Sequence, residues 1–318
     1  IVPRWEEVQL LPSAGASDSA SFVAGGAQYL VVAHYRAYDS CYGDVDCEHP
    51  PGLDPHDSCY GDIECTNPEG ADPLVKDTFM PYNIESRVWR FDEVLGQFVP
   101  HQDVATRGAL DLEHFVIAGR HFLAVANNFD SARSTARTTS TVFRWEPLPS
   151  NATNASSNFT LHEETPCDYG NMSNTTNATN GSSALCAVWG FVAYQELPTH
   201  DARQVRHFQK DSRHYLAVAG SPGERIPHSI VIWRWDGVRF VYAGEAATGE
   251  AAALEVFEIE DALYLAVAVA QAKRGAFEAN SSILRWQEAA QWHGSLLYSD
   301  AYSPEAQFVV RNLTQDST

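Results

Sequence analysis

Apolar residues recur along this chain in short alternating runs at a fixed spacing. Phe22-Val-Ala-Gly-Gly-Ala-Gln-Tyr29-Leu-Val-Val-Ala33 aligns with Phe115-Val-Ile-Ala-Gly-Arg-His-Phe122-Leu-Ala-Val-Ala126. The same seven-residue step leads from Phe208 to Tyr215-Leu-Ala-Val-Ala219 and from Phe257 to Tyr264-Leu-Ala-Val-Ala268, and Phe308-Val-Val310 offers a fifth start. Sixteen or seventeen residues upstream of each anchor stands an aromatic, at Trp5, Phe98, Phe191, Phe240 and Trp292, with a glutamine four later at Gln9, Gln102 and Gln195. Downstream comes an Arg-aromatic pair, in Val-Trp-Arg-Phe91, Val-Phe-Arg-Trp145, Ile-Trp-Arg-Trp235 and Ile-Leu-Arg-Trp286. Each unit therefore holds four segments of strand length, β-branched and aromatic, bounded by Gly, Asp or Asn.

The anchors at 22, 115, 208, 257 and 308 are separated by 93, 93, 49 and 51 residues. The basal period is about 50 residues, within the range of repeat architectures, and each long step adds an insertion, one over 36–85 and one over 147–187. A four-stranded unit of this length cannot bury both of its faces alone. Copies must stack side by side, and closing the stack into a ring hides the strand edges. The expected fold is all-β, a β-propeller of four-stranded blades with about five repeats visible. Residues 1–318 form one propeller domain or a segment of one. Glu250 to Glu278 is rich in Ala and Glu and would read as a helix by propensity; Phe257 and Tyr264 stand at the register of the other copies, so strands are expected there.

Composition narrows the setting. Forty-one acidic against twenty-one basic residues give a formal charge of −20, which repels phosphate backbones and anionic lipid headgroups. Nucleic acid is excluded as a partner. So is membrane insertion, since stretches such as Ala262 to Ala270 fall short of the roughly 20 apolar residues that cross a bilayer. The sequence opens at Ile1 with no signal-peptide pattern, so a leader or upstream domain is expected to have been removed. Nine Asn-x-Ser/Thr sequons, at Asn151, Asn154, Asn158, Asn171, Asn174, Asn177, Asn180, Asn280 and Asn312, point to N-linked glycans and to secretion or the cell surface. Seven of them share one Asn/Ser/Thr-rich tract, for which plain low complexity is the bland alternative. All six cysteines lie in the insertions, as Cys41 and Cys47, Cys59 and Cys65, and Cys167 and Cys186. Even number and local spacing suggest three short-range disulfides. Zinc competes for the first four, although C-x5-C departs from the usual ligand spacing.

With the repeat in view, the residues resemble the EAR or EPTP repeat (epilepsy-associated or epitempin repeat) of the leucine-rich glioma-inactivated proteins and some large adhesion receptors. The pattern is Phe-x3-Gln, then Gly-Ala-x-Asp-x-Glu-x-Phe, then Tyr-Leu-x-Val-Ala, then Val-x-Arg-Trp. The copy from Phe98 through Trp145 matches almost throughout, including Gly108-Ala109-Leu110-Asp111-Leu112-Glu113-His114-Phe115. The resemblance implies a seven-bladed propeller that mediates extracellular protein binding. Four full copies and a half do not fill seven blades. The ring is completed by further chain, closed with fewer blades, or shared between subunits; a truncated or processed segment is the expectation.

Candidate chemistry is sparse. Asp18 and Asp111 share a repeat column in which Gln204, Ala253 and Pro304 stand in the other copies. Facing a central channel, the two carboxylates could hold Ca2+; the alternative is that they cap turns. The first insertion repeats Asp39-Ser-Cys41-Tyr-Gly-Asp44 as Asp57-Ser-Cys59-Tyr-Gly-Asp62, an acidic loop that serves as a partner contact or simply carries charge. The second insertion reads as a glycan-covered projection. His114 and His207 share one column, and His121 and His214 another. That repetition argues for packing, because a catalyst needs one asymmetric constellation. No nucleophile elbow, zinc-protease helix or phosphate loop is present, and catalytic residues are expected to be none. The expected function is a non-enzymatic module for extracellular protein–protein interaction or adhesion, with extracellular proteins or copies of itself as partners. Alternatives are a structural subunit of an extracellular filament or coat and, more remotely, a propeller glycosidase acting through paired carboxylates.

Overall fold

Four copies of the repeat carry a hairpin whose turn is two residues long. Phe22 pairs with Tyr29, Phe115 with Phe122, Phe208 with Tyr215 and Phe257 with Tyr264. In each, both turn residues have positive φ: Gly25 and Gly26, Ala118 and Gly119, Asp211 and Ser212, Glu260 and Asp261. This is the backbone of the turn whose twist matches the right-handed twist of paired strands, and it fixes the seven-residue step. Glycine enters it without cost; the other residue types stand in a strained region.

The structure, a computed structural model, describes residues 5–36, 82–131, 135–148, 159–161, 188–222, 229–246, 248–272, 277–287 and 307–309. The strands are β1 (Ala16–Ala24), β2 (Ala27–His34), β3 (Glu85–Asp92), β4 (Gln97–Ala105), β5 (Ala109–Ile117), β6 (Arg120–Asn127), β7 (Arg137–Pro147), β8 (Phe159–Leu161) and β9 (Trp189–His200). They continue with β10 (Gln204–Lys210), β11 (Arg213–Ala219), β12 (Ile230–Trp235), β13 (Phe240–Ala246), β14 (Glu250–Ile259), β15 (Ala262–Gln271), β16 (Ser282–Gln287) and β17 (Gln307–Val309). They make four antiparallel sheets, ordered β1-β2-β3-β4-β8, β5-β6-β7-β9, β10-β11-β12-β13 and β14-β15-β16-β17, called blades I to IV. The Ala/Glu-rich stretch is β14 and β15, as the repeat register requires. The fold is all-β with four-stranded propeller blades.

Three apolar clusters coincide with the three seams between successive blades. Tyr29, Val31 and Ala33 of blade I meet Leu123, Val125, Phe143 and Trp145 of blade II. Phe115, Phe122 and Ala124 of blade II meet Leu216, Val218 and Trp233 of blade III, and Tyr215 and Ala217 of blade III meet Leu265, Val267 and Trp286 of blade IV. Rings set the geometry. Phe22 stacks on Tyr29 at 5.1 Å within its own blade and on His114 of the next blade at 4.7 Å, and Phe115 stacks on Phe122 at 5.5 Å and on His207 at 4.5 Å. The Arg-aromatic pair closes the seam from the outside, with Trp145 edge-on to Tyr29 at 4.8 Å and Trp286 edge-on to Tyr215 at 4.9 Å.

The glutamines of the repeat tie the outer strands together. Gln102 of β4 donates Nε2–H to the carbonyl of Phe191 and accepts that residue's N–H, both at 2.8 Å. Gln195 of β9 makes the same pair with Phe240, at 2.7 and 2.8 Å, and Gln9 makes it with Phe98, at 2.7 and 2.9 Å. Each clasp engages one N–H and one C=O on the outer edge of the following blade.

Two expectations are corrected. The aromatic-x3-Gln segment opens the sequence repeat but lies in the preceding sheet, because it pairs with the Arg-aromatic strand before it: Trp145 sits opposite Phe191 and Trp235 opposite Phe240. Phe308 does not start a fifth blade; it pairs opposite Trp286 as the outer strand of blade IV. The second insertion is also more than a projection, since β8 within it adds a fifth strand to blade I along β4.

Two outcomes are expected. Gln102 is wholly buried, so Gln102→Leu leaves two backbone groups unsatisfied at about 1–3 kcal/mol each, whereas Gln9→Leu at the part-buried clasp costs less than about 1 kcal/mol because water can take over; urea unfolding midpoints compare the two. Asp261→Gly, at φ 64°, stabilises by about 1 kcal/mol, read the same way.

Candidate functional site

The column that holds Asp18 and Asp111 faces the next blade's inner strand. Asp18 Oδ2 accepts the Leu112 N–H at 2.8 Å, and Asp111 Oδ2 accepts the Val205 N–H at 2.9 Å. Gln204, one blade on, accepts the Leu254 N–H through Oε1. Asp111 also pairs with Arg206 Nη1 at 3.0 Å, and Glu113 accepts the His207 N–H at 3.2 Å. Burial pushes the Asp111 carboxyl up to about 6 against the pull of the Val205 N–H and Arg206, and burial likewise raises Glu113. The acidic residues of this column are thus inter-blade staples. Among the described residues no group of three or more His, Cys, Asp or Glu stands close enough to hold a metal ion.

The histidine columns form a second repeated device. His114 Nε2 lies 3.1 Å from His121 Nδ1, and His207 Nε2 lies 3.1 Å from His214 Nδ1. One nitrogen donates and the other accepts. Burial, with the neighbouring histidine second, lowers His114 and His207 to about 4. Both rings are therefore neutral near pH 7 and are packed face to face on Phe22 and Phe115.

One concave site breaks this repetition. Between blades I and II lies a cavity of about 360 Å3, lined at its base by Phe143, Thr141, Asn127 and Thr106 and at its mouth by Asn83, Glu85, Arg107, Ala193 and Glu196. Asn127 is held by Nδ2 donation to the Thr139 carbonyl at 2.8 Å, and its Oδ1 accepts the Arg107 N–H at 3.0 Å. Arg107 Nη1 bonds Thr139 Oγ1 at 2.9 Å and pairs with Glu196 at 3.1 Å. The lining offers shape, hydrogen-bonding groups and two carboxylates, Glu85 and Glu196.

Of the other sequence-predicted positions, Asn280 is exposed ahead of β16. The other eight sequons, the six cysteines and the duplicated acidic loop fall outside the described residues. Sequence reading named the clasping glutamines as part of the repeat without giving them a role. The cavity was missed because its signal is the identity of one cross-strand pair.

The titrating groups predict a pH dependence with two opposing parts. Unfolded histidine takes up a proton from about pH 6.5, the folded rings only near 4. Their contribution is whole above pH 6.5 and is lost as the pH falls through 4. Asp111 runs the other way: its folded carboxyl keeps its proton up to about pH 6, so its contribution is whole below about pH 3.9 and fades as the pH rises through 6. Calorimetric melting midpoints should fall between pH 6.5 and 4, less steeply in His207→Phe and more steeply in Asp111→Asn.

Comparison with known proteins bears on the same segments. The family model of the EPTP domain matches residues 97–146 and 190–236. Two curated relatives are each described as a thrombospondin-type laminin G domain and EAR repeat-containing protein. The one from Homo sapiens is 38% identical over 24% of this chain, and the one from Mus musculus is 32% identical over 36%. The matched segments span only 12% and 18% of those proteins. Among solved structures, the GH43_1 enzyme from Xanthomonas citri complexed with xylose overlaps 91% of this chain and 93% of its own at 12% identity, with a TM-score of 0.24 that carries no argument. The repeat pattern, the blades it builds and the family model agree over the matched segments: residues 97–146 and 190–236 are similar to the EPTP domain and fold as blades of a β-propeller.

Proposed function

We propose that this chain is a non-enzymatic, extracellular protein-interaction module, a propeller scaffold that presents blade surfaces and loops to other proteins. The observation that carries this reading is that the ionisable side chains of the repeat columns recur with the same partners in successive seams. Asp18 and Asp111 each take a backbone N–H of the next blade, and His114 and His207 each stack on a phenylalanine of the preceding one. Groups used in this way are structural. The EAR repeats named in the curated relatives support an interaction role, and the nine sequons support an extracellular setting.

The test uses the secreted, glycosylated chain. It is immobilised and titrated with a panel of purified cell-surface and matrix ectodomains, by surface plasmon resonance, beside a form lacking residues 37–81. Saturable binding of a discrete ectodomain is the expected result, together with a mass decrease on peptide-N-glycosidase treatment. Turnover of nitrophenyl glycosides that disappears in Glu196→Gln would move the chain to the enzymes.

A further inference from the structure

Blades II and III share their strand order and the register of their third and fourth strands, and they differ in the bulk of one cross-strand pair. In blade II the third and fourth strands set Phe143 opposite Ala193, and in blade III the same two positions hold Trp233 opposite Tyr242. At the seam between blades II and III the two larger rings meet edge to face at 6.2 Å against the seam's core. The space left there, among Thr199, His200, Gly220 and Val231, is about 10 Å3. At the seam between blades I and II the matching positions are Thr106, Arg107, Asn127 and Thr141, and they line about 360 Å3. A phenyl and a methyl group stand where the next blade has an indole and a phenol.

The polar end of the missing phenol's site is retained. In blade III the Tyr242 hydroxyl hydrogen-bonds Glu245. Glu245 lies opposite Val231, and Glu196 holds the corresponding place opposite Thr141. Glu196 is about half exposed at the cavity mouth, fixed by Arg107. An acceptor carboxylate and an apolar wall thus remain, and the ring that joins them in blade III is absent from blade II. A cavity of roughly 150 Å3 already holds benzene, and tyrosine is among the residues that most often anchor protein interfaces.

We infer that the cavity between blades I and II is a receptor site for a tyrosine side chain of a partner protein, its ring beside Phe143 and Ala193 and its hydroxyl donating to Glu196. This rests on the interaction-module reading and adds the chemistry of the contact. The fold supplies the template, since the neighbouring seam accommodates that group from its own chain.

The probes are p-cresol, N-acetyl-tyrosinamide and toluene, titrated into the full chain and followed by NMR shifts and by melting temperature. The two phenols should bind saturably. Glu196→Gln should weaken p-cresol about fivefold and leave toluene within about twofold, as expected for loss of a charge-assisted hydrogen bond. Ala193→Tyr should refill the cavity, abolish binding of all three probes and raise the melting temperature by about 2–4 °C. The inference is overturned if p-cresol does not bind, if its binding survives Ala193→Tyr, if that variant melts lower than the parent, or if N-acetylglucosamine binds there in place of the phenols. A partner ectodomain that binds Ala193→Tyr undiminished would refute the tyrosine anchor while leaving the module reading intact. Phenol binding in a chain that captures no ectodomain would refute the module reading and with it the partner tyrosine.

Discussion

A four-stranded sheet with an apolar second strand has two faces to cover, and that constraint governs the molecule. In blades II and III the run from ring to alanine is buried on both sides, so Phe122, Leu123, Ala124 and Val125 are all inside, as are Tyr215, Leu216, Ala217 and Val218. In blade I the buried apolar residues of the second strand are the alternate ones, Tyr29, Val31 and Ala33, with Leu30 and Val32 half covered. Blade IV has the opposite alternation, burying Leu263, Leu265 and Val267. Each fully covered apolar side chain of this size contributes about 1.5–3 kcal/mol, and the contribution arises between blades, not within them.

Apolar stacking alone would let neighbouring sheets slide, because dispersion and burial are not directional. Direction comes from backbone groups that the ladders leave over. The inner strand of each blade would otherwise bury an unpaired N–H at Leu112, Val205 or Leu254, and the outer strand leaves the N–H and C=O of Phe98, Phe191 or Phe240 open at its edge. The carboxylates, Gln204 and the clasping glutamines take these groups from the preceding blade. Register between blades is fixed at both the axis and the rim, which also blunts an edge that could pair with a foreign strand.

Much of this was legible in the sequence. The Phe-to-Tyr step of seven residues encodes a two-residue hairpin, and the recurrence of Arg-Trp encodes the ring that closes each seam. Asp18 and Asp111 showed in the sequence that they belong to one column, but not whether a column faces an axial ion or a neighbour's backbone; that depends on how far successive inner strands are displaced. The assignment of the aromatic-x3-Gln strand could not be read either, since periodicity is unchanged when every boundary moves by one strand. The cavity is a matter of volume at a single seam, and alternation of apolar and polar residues is blind to whether Ala193 or a tyrosine occupies an apolar position.

That one-strand displacement reaches past the static fold. The stretch duplicated in the sequence and the sheet that folds are different units, since the sequence repeat from Phe98 through Trp145 holds the outer strand of blade I and three strands of blade II. A newly made repeat emerging from the ribosome supplies the finishing strand of the sheet before it, so each blade waits for its successor's first residues. Removing the stretch from Ala109 to His200 would take out blade II and, with it, β8, the fifth strand of blade I.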